Sequence, residues 1–482
     1  MLFIINLKIL KDDFDGNVIN LREKKIDLKK SVFFDIIKAD KKVVVILKYS
    51  KYFVTSTKKI IYTKESKEKY KNKKNYFTRD RKMPFDKVVL YGLNKKGITS
   101  KMEIEDFTDL INSVDVSYPA VLKQRLKLNG KIYLDIMQTN LVDFYEKFTE
   151  DVKLFHGYIL TAIDGSDFEI PNTKKTREEF NEYHEEELVA RATISNMFDV
   201  LNHYVMDTII EKFDYSERKM AYEHFETIKK LGLKYPIIRT GDRGYSGIVD
   251  IYYSLKSDDK FVYRLKKSDF KKYIQNMKTN DEIITIPYQY DRVRYYKEEC
   301  PEFYKIMEET KEDIKVRIVK INDKDGEEIV LVTNLEEDKF DYNTMIELYK
   351  LRWEIEISYH LLKESLKIET ITSSFKTIIE QDIYSQMLAF NIISAFANDA
   401  QKEIDQTKYK NEMKINMNMA IGFVKKTLIL IIIEEDRNKQ DEMFELLMKK
   451  IPKYIVPVKK DRHYPRNKNK KNKYSINKRK PF

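Results

Sequence analysis

The chain has 482 residues, of which 42% are hydrophobic, and its formal net charge is +12. This length leaves room for two or more domains with cores of their own, and the composition excludes a disordered chain. A single cysteine, Cys300, excludes a disulfide framework and a cysteine-rich zinc site. No apolar run approaches the roughly 20 residues of a membrane span, and no cleavable leader is recognisable. We therefore expect a soluble, cytoplasmic protein.

Positive charge is concentrated in two segments. The tail from Lys459 to Phe482 contains eleven Lys and Arg residues against one acid, a net charge of +10. A basic island from Lys58 to Lys82 has eleven Lys and Arg residues against three acids, a net charge of +8, with aromatic residues interleaved. This distribution indicates contacts with a nucleic-acid backbone. For the island, an AT-rich coding sequence that places Lys on every surface is an equally good explanation.

The N-terminal part predicts helices after a segment of unassigned role. Residues 1–75 contain short strand-like runs, such as Lys42 to Leu47, and no recognisable chemistry. The pattern then predicts three helices, at Phe85–Asn94, Thr99–Asn112 and Ser117–Leu128. The third helix carries three basic residues, Lys123, Arg125 and Lys127. Three short helices of this kind suit a helix-turn-helix-like DNA reader, although any small helical bundle has the same pattern.

Strand patterns begin near Gly157. Four strands and one helix are predicted, in the order strand Tyr158–Ile163, strand Val189–Phe198, strand Tyr204–Ile210, helix Ser216–Leu231 and strand Tyr235–Arg239. A ribonuclease-H-like mixed α/β sheet has this order: three strands, a helix, a strand and another helix. In that arrangement the ends of the first and fourth strands lie side by side, which would place Asp164 near Asp242.

The following 90 or so residues predict a β-rich insertion with short alternating runs. These runs are Phe261–Leu265, Glu282–Pro287, Val293–Tyr296, Ile314–Ile321 and Glu328–Leu335. The rest of the chain is mostly helical up to Lys450, before the basic tail. The predicted organisation is therefore an N-terminal segment 1–75, a helical DNA-binding domain 76–150, a catalytic core 151–255 and 341–400, a β-rich insertion 256–340, and a helical C-terminal region 401–482.

A polar stripe runs along one face of a helix predicted over residues 341–369. Its members, Tyr349, Arg352, Glu356 and Lys363, fall within an arc of about 60°. Apolar residues flank the stripe on both sides, with Trp353 among them, and Lys350, Glu354, Ser358 and Ser365 are expected to face solvent. A polar line between two apolar stripes predicts the wall of a cleft.

Three acids are candidates for one catalytic site: Asp164, Asp242 and Glu356. Carboxylates from two strand ends and a helix supply the hard oxygen ligands that a pair of Mg²⁺ ions needs for phosphoryl transfer. After Asp164, Gly165 and Ser166 predict a sharp exit from the strand. Around Asp242, two glycines would let the backbone approach a phosphate, and Arg243 adds positive charge. Each acid also has a purely structural explanation, since acids at strand ends commonly cap turns and Glu356 could pair with Arg352 one turn earlier.

Together these residues resemble a known family. The spacing Tyr-x2-Arg-x3-Glu-x6-Lys at positions 349 to 363 is similar to the YREK signature of DDE transposases of the insertion-sequence-4 group. The contexts AIDGSDFEIPN around Asp164 and TGDRGY around Asp242 are also similar, as are FTRDRKMPF at 77–85 and RHYPR at 462–466. The resemblance covers roughly residue 76 to the end.

This resemblance implies a ribonuclease-H-like core interrupted by a β-rich domain, with Asp164, Asp242 and Glu356 binding two Mg²⁺ or Mn²⁺ ions. It implies that Tyr349, Arg352 and Lys363 contact the end of the mobile element, and we add Arg243 to this set. It further implies a prokaryotic, nucleoid-associated enzyme that cuts at terminal inverted repeats and joins the ends to target DNA. Hairpin ends and a homodimer that holds two ends together belong to the same expectation.

The resemblance also implies that an aromatic residue of the insertion domain stacks on a base flipped out of the DNA. In this chain a tyrosine would have to take that role. The candidates are Tyr288, Tyr290 and Tyr295.

Other catalytic chemistries have little support. The six histidines show no metal-ligand spacing, and no GxxxxGK nucleotide motif is present. Two alternatives to a transposase stay open: a structure-selective nuclease on the same fold, and a catalytically silent DNA-binding protein descended from a transposase.

Overall fold

The computed structural model describes residues 49–79, 81–181, 189–257, 259–289, 293–294, 297–298, 301–322 and 326–458. The strand expected at Lys42–Leu47, the basic tail, Cys300, Tyr290 and Tyr295 lie outside these residues. Among the described helices, none combines the length and the apolar composition that crossing a lipid bilayer requires.

Six helices precede the sheet in the described part of the chain. They are α1 Tyr49–Tyr62, α2 Lys64–Lys69, α3 Phe85–Asn94, α4 Ser100–Leu110, α5 Tyr118–Arg125 and α6 Lys131–Lys147. The three helices predicted between Pro84 and Asn129 are thus confirmed as α3, α4 and α5. Ser117 is the N-cap of α5 by position, with Pro119 in the first turn, but its side chain makes no capping hydrogen bond.

The central part of the chain alternates strands and helices. The strands are β1 Ile159–Glu169, β2 Arg191–Asp199, β3 Tyr204–Lys212, β4 Ile237–Gly241, β5 Lys260–Arg264, β6 Asp281–Ile286, β7 Ile314–Asn322 and β8 Glu328–Thr333. The helices between them are α7 Lys174–Phe180, α8 Glu217–Leu231, α9 Ile248–Lys256, α10 Lys271–Gln275 and α11 Pro301–Thr310. The predicted strand Val293–Tyr296 is not found in its described part, since Val293 and Arg294 are helical.

These strands form one mixed sheet in the order β3-β2-β1-β4-β5-β8-β7-β6 among the residues described. β1, β2 and β3 are antiparallel neighbours, whereas β4 is parallel to β1 and β5 is parallel to β4. An antiparallel meander, a crossover helix and two parallel strands in the order 3-2-1-4-5 define a ribonuclease-H-like fold. The predicted fold class is therefore confirmed.

The segment 256–340 continues this sheet. β5 pairs with β8, and β8, β7 and β6 follow as antiparallel neighbours, so the strands predicted as an inserted β-rich domain extend the core sheet. Arg317 of β7 connects β6 with the segment that follows β8. Its guanidinium is 2.6 Å from Asp281 Oδ2 and donates to the carbonyl oxygen of Phe340 at 2.7 Å.

The chain ends in a helical layer. Its elements are α12 Tyr342–Leu351, α13 Glu354–His360, α14 Lys376–Gln401, β9 Met413–Ile415, α15 Met417–Ile433, α16 Arg437–Lys450 and β10 Ile455–Pro457. The long helix α14 is buried nearly all round, and two of its polar side chains form hydrogen bonds with distant backbone. Asn391 exchanges hydrogen bonds with the Val205 backbone at 2.7 and 2.8 Å, and Asp399 accepts from the Ser50 backbone N–H at 2.9 Å. These bonds fix α14 against the sheet and against α1.

Arg125 corrects part of the helix-turn-helix hypothesis. Its side chain is 3% exposed and forms an ion pair of 2.7 Å with Asp382 of α14. The guanidinium also donates to Gln381 Oε1 at 3.1 Å and to Thr372 Oγ1 at 2.7 Å. Arg125 lies one helical turn after the buried Val121, so it shares the core-facing side of α5 and is not a DNA contact.

Candidate active site

The register between β1 and β4 brings the two aspartates together. These parallel strands pair from Ile159 opposite Ile237 to Ile163 opposite Gly241. Asp164 and Asp242 are the next residues along the chain, so they lie side by side where the pairing of the two strands ends. The predicted proximity of Asp164 and Asp242 is confirmed.

Asp164 was expected at the end of its strand, and this expectation is wrong. β1 continues to Glu169 because its antiparallel pairing with β2 extends from Asp164 opposite Asn196 to Glu169 opposite Arg191. Asp164 therefore lies in mid-strand, and only its pairing with β4 ends there. Gly165 and Ser166 belong to the strand and do not form a sharp exit from it.

Asp242 lies at the junction between β4 and a short 3₁₀ turn, Arg243–Tyr245. Its backbone is extended, and its Oδ1 atom is buried without a hydrogen-bond partner in the described part of the chain. The same holds for Nε of Arg243. A buried carboxylate oxygen without a donor is costly, so it indicates a ligand that the protein atoms do not supply.

The helix predicted over residues 341–369 is divided into three parts. α12 ends at Leu351, α13 begins at Glu354, and Leu361–Ser365 forms a turn of π-helix. At the first break the Trp353 N–H donates to the Lys350 carbonyl oxygen at 3.2 Å, the shorter hydrogen-bond span of a 3₁₀ turn. Trp353 is 46% exposed, contrary to its expected place on an apolar flank, and Ser358, expected at the surface, is buried.

The stripe residues nevertheless lie at the aspartates. Arg352 is 5% exposed, its Nη2 atom is 3.1 Å from Glu356 Oε1, and its guanidinium lies 5.5 Å from the Tyr349 ring centroid. The intrahelical Arg352–Glu356 pair, which was the structural alternative for Glu356, is thus present. Burial raises the pKa of the Tyr349 phenol, and the charges of Arg352 and Asp242 act on it in opposite directions. Tyr349 and Arg352 therefore both lie near enough to Asp242 for its charge to act on them.

Lys363 lies on the π-helical turn and reaches back to β1. Its Nζ donates to the Asp167 carbonyl oxygen at 2.7 Å and lies 4.4 Å from the Phe168 ring centroid. Glu369 Oε1 is 3.7 Å away. Burial lowers the pKa of the Lys363 ammonium, while the neighbouring acids oppose this effect. Lys363 is thus placed at the β1 side of the site.

The acids of this site act on one another. Burial raises the pKa of Asp164 to about 7; Arg352 opposes the rise, whereas Glu356, Glu217 and Asp242 add to it. A carboxyl group that is buried among like charges resists ionisation until a cation or another positive group compensates it. Carboxylates in this arrangement are typical of functional sites.

The donor set suits a hard divalent cation. The acids that act on Asp164, which are Glu356, Glu217 and Asp242, offer carboxylate oxygen, which Mg²⁺ and Mn²⁺ prefer, and the unpartnered Asp242 Oδ1 would gain a cation. In the described conformation, no three His, Cys, Asp or Glu side chains are arranged to hold a metal ion. Glu356 is turned toward Arg352, so a ligand set that includes it requires its side chain to rotate.

Two further residues of the site were missed in the sequence. Tyr359 donates from Oη to the Asp164 carbonyl oxygen at 2.7 Å and to the Ile194 carbonyl oxygen at 3.2 Å. Its position three residues after Glu356, close to the polar stripe, was the available signal. Glu217 begins α8, and its charge helps to raise the pKa of Asp164. Only its place in the first turn of a predicted helix was visible in the sequence, and that is an ordinary position for an acid.

Comparison with known proteins gives a match to a family model and distant likenesses to solved structures. Residues 155–392 match the family model described as Transposase DDE domain. A cryo-EM structure of the piggyBac transposase synaptic complex with hairpin DNA is similar over 84% of each chain, with 7% sequence identity and a TM-score of 0.40. No curated protein matches the sequence. The matched segment begins just before β1, ends within α14, and includes both aspartates and Glu356. Residues 155–392 of this chain are therefore similar to the Transposase DDE domain.

Proposed function

We propose that the protein is a DNA transposase that binds terminal inverted repeats and carries out metal-dependent strand cleavage and strand transfer. The observation that carries the proposal is the register of β1 and β4, which places Asp164 beside Asp242 within the segment that is similar to the Transposase DDE domain. Glu356 is the third acid, since its charge acts on Asp164. Asp164, Asp242 and Glu356 would hold two Mg²⁺ or Mn²⁺ ions. Such ions activate the attacking oxygen and stabilise the leaving oxygen in phosphoryl transfer.

The side chains of the site suit a DNA end. Arg352 and Arg243 each have a buried Nε–H without an acceptor among the described residues, and a phosphate oxygen would satisfy both. In the proposed active state Glu356 turns from Arg352 toward the aspartates, which leaves the whole guanidinium of Arg352 for a phosphate. Tyr349 and Lys363 complete the proposed contacts with the element end.

A basic surface next to the helices α3 to α6 supports binding of longer DNA. We call it the Tyr76 surface; it consists of Lys73, Tyr76, Arg79, Arg81 and Lys127. Asn72 ties its two segments together by donating from its backbone to the Lys127 carbonyl oxygen at 2.8 Å. Lys73 and Lys127 place their Nζ atoms 5.9 and 5.7 Å from the Tyr76 ring centroid. Burial and the charges of Arg81 and Arg79 lower the pKa of Lys127, as expected where cations are crowded together.

The finer assignments belong to the same proposal. The spacing of Tyr349, Arg352, Glu356 and Lys363 favours the insertion-sequence-4 group with its YREK signature, in a prokaryotic cytoplasm at the nucleoid. Two copies would hold two element ends in a synaptic complex, and a hairpin on the element end would be an intermediate.

The test uses the purified full chain with DNA that carries the terminal inverted repeats of its own element. With Mg²⁺ we expect cleavage at the element ends and joining of labelled 3′ ends to plasmid DNA. Asp242→Asn should reduce cleavage by more than about 100-fold, because even outer-shell partners of a metal contribute 10- to 100-fold. End binding in EDTA, measured by gel shift, should persist. Asp338→Asn, an exposed acid in the same part of the chain, is the matched control.

Each other outcome has a defined meaning. Metal-dependent cleavage that survives Asp242→Asn would show that the site is assigned wrongly. Cleavage without joining would favour a structure-selective nuclease, and end binding without cleavage in Mg²⁺ or Mn²⁺ would favour a silent DNA-binding protein. Denaturing gels of the cleaved ends would show whether the two strands are covalently closed into a hairpin.

A further inference from the structure

The Tyr359 hydroxyl joins the helix that carries Glu356 to the strand that carries Asp164. Tyr359 lies on α13, three residues after Glu356, and it is 6% exposed. Its Oη atom donates to the Asp164 carbonyl oxygen at 2.7 Å and lies 3.2 Å from the Ile194 carbonyl oxygen. The hydroxyl therefore connects α13 with β1 and β2 at the level of Asp164.

Packing alone does not account for this hydroxyl. The Tyr359 ring meets the Phe168 ring edge-on, with 6.3 Å between the centroids and an interplanar angle of 88°, and phenylalanine would pack in the same way. A buried hydroxyl needs a hydrogen-bond partner. The shorter of its two bonds goes to the backbone of a proposed catalytic residue, Asp164.

Asn196 lies next to the hydroxyl on β2. It is directly opposite Asp164 in the antiparallel ladder and is fully buried. Its amide is oriented from β3, because its Oδ1 atom accepts from Thr208 Oγ1 at 2.8 Å. Burial and the charge of Asp164 raise the pKa of the Tyr359 phenol well above its usual value, and Asn196 opposes the rise. The phenol therefore keeps its proton and remains a donor to the strand.

The contact is made within one turn of Glu356. Residues three positions apart are neighbours on a helix surface, so Tyr359 fixes α13 to β1 beside the glutamate. The Glu356 carboxylate is paired with Arg352 at 3.1 Å, and in the proposed active state it turns toward the aspartates. Turning moves only the side chain, so the separation of the two backbones at Asp164 and Glu356 depends on how α13 is held against β1.

We propose that Tyr359 is a positioning residue of the proposed reaction, because its hydroxyl holds the Asp164 backbone at a fixed distance from the helix that presents Glu356. This inference rests on the proposed function, in which both carboxylates hold the divalent cations. Without the hydroxyl both carboxylates remain, but the strand and the helix separate more easily. The site then binds the cation less tightly, while the reaction at a filled site is unaffected.

The first measurement is hydrogen–deuterium exchange of the metal-free full chain. Tyr359→Phe removes only the hydroxyl and should speed exchange of the α13 amides. Tyr133→Phe is the matched control, since Tyr133 of α6 is another buried tyrosine that donates to a backbone carbonyl oxygen, that of Val89 at 3.0 Å. It should leave exchange in α13 unchanged.

The second measurement is cleavage of element-end DNA at increasing Mg²⁺ concentration. For Tyr359→Phe, the Mg²⁺ concentration at half-maximal rate should rise about 10-fold, the lower end of the effect of outer-shell partners of a metal. The rate at saturating Mg²⁺ should approach that of the wild type. Tyr133→Phe should not change the Mg²⁺ dependence. 4-Aminophenylalanine at position 359 keeps a hydrogen-bond donor and should restore the wild-type dependence.

An unchanged Mg²⁺ dependence in Tyr359→Phe refutes the positioning role, even if exchange in α13 is faster. A rate that saturating Mg²⁺ does not recover also refutes it, because the hydroxyl would then act in the chemical step. Unfolding of Tyr359→Phe in thermal melts would show that the hydroxyl serves the fold itself. The proposed function fails separately, if the wild type does not cleave or if Asp242→Asn cleaves equally well.

Discussion

Replacing Arg125 by methionine should destabilise the protein by about 3–5 kcal/mol, the usual cost of removing one partner of a buried ion pair. The variant loses the 2.7 Å ion pair with Asp382 and the hydrogen bonds to Gln381 and Thr372. Burial disfavours the charge on Asp382, but Arg125 and Lys95 outweigh it and lower the pKa of Asp382 to about 2. A depression of this size corresponds to roughly 2 kcal/mol, and the missing hydrogen bonds contribute the rest.

The pH dependence distinguishes this mechanism from a simple loss of packing. In the wild type, the contribution of Asp382 is present above its unfolded pKa and is lost as pH falls through about 2. Without Arg125, burial should raise the pKa of Asp382 above its unfolded value. Protonation then relieves the unpaired charge, and the destabilisation by Arg125→Met should be smaller near pH 4.5 than at pH 7.

Urea unfolding followed by far-ultraviolet circular dichroism measures this destabilisation. Tryptophan fluorescence is a poor probe, because the one tryptophan, Trp353, is already 46% exposed in the folded protein. Lys123→Met, an exposed lysine on the same helix, should change the unfolding free energy by less than about 0.5 kcal/mol. Arg125→Met combined with Asp382→Leu should recover most of the stability, because apolar replacements of a buried pair are often neutral. A cost for Arg125→Met below about 1 kcal/mol, or one that does not vary with pH, would refute the reasoning.

Two further predictions concern the proposed site and the DNA surface. Asp164→Asn should stabilise the metal-free protein at pH 8 by roughly 2–4 kcal/mol and at pH 5 by about a third of that, because a pKa raised to about 7 gives stability that is fully present only below the unfolded pKa and is lost progressively as pH rises through about 7. Thermal melts in EDTA would test this, and an equal effect at both pH values would contradict it. Changing Lys73, Arg79, Arg81 and Lys127 to glutamine should lower the magnitude of the slope of log K against log salt by about 0.9 for each DNA phosphate that the variant no longer neutralises. Fluorescence anisotropy with duplex DNA measures the slope, Lys350→Gln is the exposed control, and an unchanged slope would exclude the Tyr76 surface as the place where DNA binds.

Most of the secondary structure could be predicted because its signals are local. Alternating and helical apolar periods indicated β1 to β8 and the helices α3 to α5 and α8, with bounds that differ by a few residues at most strand ends. The exceptions have non-local causes. β1 extends past Asp164 because β2 pairs with it there, and the helix over residues 341–369 breaks where Trp353 faces solvent and Arg352 faces the core.

The candidate site could be predicted in part. The order of the elements was enough to place Asp164 beside Asp242, because a parallel crossover brings the ends of β1 and β4 together. Glu217 and Tyr359 could not be assigned in advance, since an acid in a first helical turn and a tyrosine after a glutamate are both common. Their roles depend on the direction in which α8 and α13 meet the sheet.

The sequence by itself determined the periodicities, the charge distribution and the spacing of the acids, all of which are properties of neighbouring residues. These were sufficient to predict a ribonuclease-H-like sheet and to select Asp164, Asp242 and Glu356 as candidates. Only the tertiary structure decided that Arg125 is buried against Asp382, that Glu356 is paired with Arg352, and that Glu217 packs against Gly165 and Gly244. The physical reason is that burial and pairing depend on which distant element packs against a side chain, and no local pattern encodes that choice.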